Sequence, residues 1–344
     1  MNRPTSHILS SISSSLERDT FLWAYIFPST LLIGGFNSHL TPVSCATLRR
    51  WTKVLDPMRW KDFSLNRVIV HPYGVMSYGV EPVGEEIPPL STEPLPTGDY
   101  GWFSRSRVPF IPAFAHVGSM HSFTAMQRIA IKDGDFYSEL GDPHTMFKVP
   151  SIIKDRVRQR DQNRCLFTGS QPQRAITVSW LVPPYCCEEV SIPPSVITER
   201  SGLYREDLTV PSNATVLHRD LVPYFLNNAF SVDIDDDYRI IIFREMGSIR
   251  QLLPTHMPAP CAQDQQFDMF LRAHFRSSLR VNILRGDIRE EYDAGTIQRM
   301  MGQLGVGDDN DDDEMAPLSD SRRNSVLGQA ILEEVMRERI ARAL

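Results

Sequence analysis

The side chains best equipped for chemistry lie between Cys165 and Asp237. His218 stands two residues before Asp220 and upstream of the acidic run Asp233, Asp235, Asp236 and Asp237. An imidazole beside carboxylates can hold a divalent ion, which activates bound water and offsets charge on a phosphate. A histidine just before a helix also has a plainer use, as a cap or a surface group. His218 precedes Val222 by four residues, so a helix that starts early enough carries both on one face. The acidic run separates the apolar stretches FSV and RIIIF, which is the composition of a hairpin turn. It lacks the glycine and distal glutamate of an EF-hand calcium loop. Cys165, Cys186 or Cys187 together with His218 make a conceivable zinc set, but no second spaced cysteine pair accompanies them. Five cysteines without C-x-x-C spacing form no disulfide framework and fit a reducing, intracellular (cytoplasmic or nuclear) compartment.

A longer pattern surrounds these residues. RDQNRCLFTG (160–169), ITVSWLVPP (176–184) and SNATVLHRDLVPYFLNNAFSVDIDDDYRIIIF (212–243) read as strand, loop, short helix and a second strand pair. Taken together they resemble the HNH nuclease domain found in many fungal proteins. The resemblance covers roughly a quarter of the chain and extends more loosely into FLRAHFRSSLRVNIL (270–284). It implies an α+β fold with a ββα-metal core, to which N-terminal strands and C-terminal helices are added. Cys165, Thr168 and Gly169 match the family's opening turn, Asn213 its central asparagine, and Asp220, Leu221 and Phe225 its helix. Trp180 falls where the family has its general-base histidine, and Val222 and Leu226 where the helix has metal ligands. Indole has no useful basicity and aliphatic side chains cannot bind a hard cation.

The resemblance therefore divides into two functional expectations. In one, the domain is a degenerate nuclease used for binding or assembly, needing no cofactor, with Trp180 and the apolar helix face filling the old metal cavity. In the other it is a divalent-metal endonuclease with a displaced site. There His218 and Asp220 hold Mg, Mn or Zn, and His218 and Asn213 form the catalytic pair. The absence of base and both helix ligands together favours the first, since each loss costs orders of magnitude in rate.

Charge says little for a polyanionic partner, because the net charge is −6 and the pI about 5.9. Arg156, Arg160 and Arg164, and likewise Arg272, Arg276 and Arg280, recur every fourth residue and can line helix faces toward a nucleic acid. Pairing with Asp155, Asp161 and Asp268 on a solvated surface is the plainer expectation. The N-A-T sequence at Asn213 formally fits a glycosylation acceptor and is read as a chance match.

The elements that must position these groups are legible in outline. The chain divides into 1–65, an apolar and helical region; 66–150, a strand pair, a proline-rich loop and a helix; and 151–245, the nuclease-like core. A helical extension follows at 246–305, then an acidic linker at 306–320 and an amphipathic helix at 321–344. TFLWAYIFPSTLLIGGF (20–36) is broken by Pro28 and marginal in length for a bilayer, so it is a buried element or interface and no membrane span is expected. NRVIVHPYGVMSYGV reads as two strands around His-Pro-Tyr-Gly, with 82–97 extended beyond it. Residues 120–140 read as a helix, with a strand as alternative, and 150–164 as a basic helix beside the core. Phe267, Phe270, Leu271, His274, Phe275, Ser278 and Leu279 share one face of a strong amphipathic helix, where His274 is a hydrogen-bonded packing residue. A shorter helix, 293–304, is stopped by Gly305 and Gly307. The stripe Val326, Ile331, Leu332, Val335, Met336, Ile340 and Leu344 suits a docking or self-association helix, or one that folds back on its own chain. Arg322, Arg323 and Ser325 match a basic phosphorylation context.

Overall fold

The computed structural model describes residues 18–26, 29–55, 63–74, 77–103, 121–133, 141–169, 175–187, 204–258, 265–284, 292, 294–306, 317, 319–325, 327–329, 331, 332 and 335. The fold is mixed α+β and forms two compact units, one from Met1–Ser119 with Asn282–Leu344, the other from Met120–Val281.

The first unit is built on a closed five-stranded barrel. Strands β1 (Thr20–Ile26) and β2 (Ser29–Phe36) form an antiparallel pair from the stretch whose apolarity suggested a buried element. The described residues of region 1–65 thus include strands as well as a helix, α1 (Cys45–Leu55), capped by the Ser44 hydroxyl, which accepts from the Thr47 N–H. Strands β3 (Ser64–Gly74) and β4 (Ser77–Ile87) pair antiparallel, and His71 and Pro72 lie within β3, not at its turn. β4 also runs through Pro82 to Ile87, so the proline-rich stretch is strand for its first third. Pro82 pairs opposite Val68. Strand β5 (Gly98–Phe103) lies antiparallel to β3 and parallel to β1, which closes the order β1-β2-β4-β3-β5.

Phe21, Trp23, Leu32, Val68 and Phe103 fill this barrel, with Tyr78 edge-on to Trp23 at 5.0 Å. The Trp23 indole donates to Asp99 at 2.8 Å, so the buried ring keeps its polar edge satisfied. Gly34 and Gly35 admit the chain at Ile283. The Gly35 N–H donates to the Ile283 carbonyl at 2.9 Å, and a Cβ at Gly34 would stand 2.1 Å from that oxygen. Arg18 completes the contact by donating to the carbonyls of Asn282 and Leu284.

The second unit carries the nuclease-like stretch. Helix α2 (Phe123–Asp133) lies within the segment 120–140 read as helical, of which 120 and 134–140 are outside the described residues, and α3 (Ser151–Arg160) is the basic helix. Strand β6 (Ile176–Trp180) pairs with β7 (Ala214–His218), and the crossover between them includes the short helix α4 (Arg205–Leu208). A 3-10 turn at Arg219–Leu221 leads into α5 (Val222–Leu226). Strands β8 (Phe230–Asp233) and β9 (Arg239–Ile242) then form a hairpin, and helix α6 (Gln265–Asn282) supplies a large share of the apolar wall. The acidic run is the turn of that hairpin, with Asp237 and Tyr238 both at positive φ. Asp235 there pairs with Arg272 and Asp236 with Arg239.

Back in the first unit, α7 (Ala294–Leu304) ends at Gly305, whose φ of +67 suits a left-handed cap. Leu304 and Val306 pack with Leu327, Ile331 and Leu332, so this part of the C-terminal stripe is covered within its own chain. Gly307, the acidic run 308–314 and all of 336–344 lie outside the described residues.

Candidate functional site

The strand pair β6–β7, the 3-10 turns flanking β7 and the helix α5 carry Trp180, Asn213, His218, Asp220, Val222 and Leu226. The two faces of the strand pair are covered differently because successive strand side chains point to opposite sides. Val178 and Trp180 on β6, with Ala214 and Val216 on β7, meet Val149, Ile153 and Val157 of the α3 region. Leu217 points the other way, into the main core with Leu221, Phe225 and Leu226. Val222 packs against that main core as well.

Trp180, in the base position of the resemblance, is thus buried at 2% exposure on the α3 side of the hairpin. It belongs to a different cluster from Val222 and Leu226, so the expected mutual contact of these three does not form. The cause is strand parity. Trp180 shares the face of Val178, while α5 covers the face of Leu217. Its indole Nε1 has no hydrogen-bond partner among the described residues.

Asn213 is a clip. It is fully buried, and its side-chain amide accepts from the Val182 N–H at 3.0 Å and donates to the Val182 carbonyl at 2.7 Å and the Leu208 carbonyl at 2.8 Å. Its own carbonyl accepts from the Leu181 N–H. The loop leaving β6, the end of α4 and the start of β7 are thereby joined by one side chain. Such burial leaves the N-A-T sequence no room for a glycan.

His218 ends β7 and does not lie on the helix, which starts at Val222. Its Nδ1 accepts from the Asp220 N–H at 3.4 Å, capping the 3-10 turn, and lies 3.7 Å from the Asp220 carboxylate. Asn213 and His218 flank β7 at opposite ends, five residues or about 16 Å apart along an extended chain. The structure therefore keeps the expected catalytic pair apart, while it brings His218 and Asp220 together. Among the described residues no group of three His, Cys, Asp or Glu side chains could hold a metal ion. Cys165, Cys186 and Cys187 are instead buried in the main core, where the Cys165 sulfur accepts from the His218 N–H at 3.2 Å.

The opening turn is held by its own residues. Gly169, at φ +65, donates to the Cys165 carbonyl, and Leu166 donates to Val216 on β7. Arg160 and Asp161 staple α3 to the hairpin. Asp161 accepts from Arg160 at 2.6 Å, from the Thr215 hydroxyl and from the Val216 N–H. Arg160 also donates to the carbonyls of Pro211 and Ala214 and lies over the Phe267 ring.

The arginine stripes are changed accordingly. Arg160 is committed inward, and Arg164 lies beyond the end of α3 at Arg160, so these do not line one helix face with the exposed Arg156. Arg272, Arg276 and Arg280 do share α6, but Arg272 is paired with Asp235.

Sequence reasoning placed His274 on the packed face and the structure adds its network. His274 is fully buried, stacked on Phe225 at 3.8 Å. Its Nε2 donates to the Phe225 carbonyl at 3.1 Å, which leaves Nδ1 to accept from the Ser231 hydroxyl at 2.7 Å. Burial pushes its pKa down to about 3. Asn228, left-handed at φ 54, links Ser278 to the Phe123 N–H. The paired asparagines Asn227 and Asn228, which tie this network to the start of α2, were not singled out from the sequence. An asparagine pair ending a short helix is the signal that could have found them.

No family model, curated protein or solved structure matches this chain. Among the described residues no helix is long and apolar enough to cross a membrane.

Proposed function

We propose that the second unit is an HNH-nuclease-like scaffold that no longer performs hydrolysis and serves as a binding or assembly module. The observation that carries this reading is the pairing of a kept frame with lost reactive groups. Asn213 still clips the hairpin ends, and the Cys165–Gly169 turn still docks on β7. At the positions where the family needs a base and ligands, Trp180 and Leu226 are buried in separate apolar clusters and Val222 packs beside the second. Water activation on a metal needs oxygen or nitrogen donors converging on one ion and a base within hydrogen-bond reach. His218 and Asp220 supply two such donors on a capped turn, remote along β7 from Asn213. The module reading also suits a protein partner better than a nucleic acid, since the net charge is −6 and Arg160 and Arg272 are engaged with carboxylates.

Calorimetric titration of the full chain with manganese, nickel and zinc, run beside His218→Ala, tests this. The expected result is no stoichiometric binding by either protein. Stoichiometric binding that disappears in His218→Ala, with metal-dependent cleavage of plasmid DNA or RNA, would replace the module with a nuclease whose metal site has moved.

A further inference from the structure

We draw no further inference here: the strongest candidate, the surface patch on the β3–β4 strand pair where Ile69 and Val83 stand exposed near Glu81, Glu85 and Glu86, is an apolar pair within an acidic cluster, and nothing in the structure shows what covers it.

Discussion

Acidification should destabilise the second unit through His274, and the size of the effect follows from its surroundings. The ring is enclosed by Phe123, Phe225, Ser231 and Ser278, none of them charged. Protonation would put a cation in an apolar core and take from Nδ1 its role as acceptor for Ser231. The folded pKa is accordingly about 3, against an ordinary value of 6.5. A group whose folded pKa is depressed is neutral in both states above pH 6.5, so its full contribution is present there. Below 6.5 only the unfolded chain takes up the proton, and stability falls until pH approaches 3. At pH 5 the loss is about 2 kcal/mol, being 1.5 units of roughly 1.36 kcal/mol each. Urea unfolding at pH 8 and pH 5, compared between the wild type and His274→Gln, measures it, because the other titrating groups are common to both. The wild type should lose about 2 kcal/mol more than the variant on acidification. Equal losses would refute the reasoning. Should His274→Gln fail to fold, ring-nitrogen NMR of the wild type decides instead: the neutral Nε2–H form must persist at pH 5.

Two further outcomes test the frame around the candidate site. Asn213→Ala strands the Val182 N–H, the Val182 carbonyl and the Leu208 carbonyl in a buried loop, so it should destabilise by about 3 kcal/mol or more in chemical denaturation. Cys45, Cys165, Cys186 and Cys187 are buried and outside any disulfide, and burial raises the Cys45 thiol to about 11, so these four should react with a disulfide reagent only at the rate of unfolding.

Much of the element pattern was legible because it rests on local rules. The packed face of α6, with Phe267, Phe270, His274 and Leu279, follows from helical spacing alone. The Asp-rich turn between β8 and β9 and the stop at Gly305 follow from backbone preferences of single residues. Residues 20–36 were legible as a buried element but not as strands. An apolar run of that length has no period that separates strand from helix, and its partner β5 lies far along the chain, with Thr20 opposite Gly98.

The site shows the same division. Sequence by itself determined which reactive side chains exist: a tryptophan and aliphatic residues in the resemblance's base and ligand positions, one histidine beside one aspartate, and an asparagine at the head of a strand. Tertiary structure alone decided what they face. Trp180 turned toward α3 and away from α5, because strand parity assigns a side and the packed helices determine what covers it. Arg160, which reads as a surface charge in its helix, became a staple because Asp161 and two carbonyls converge on it from β7 and its approach. A side chain's type is local, whereas its desolvation and its partners come from segments the chain brings back from a distance.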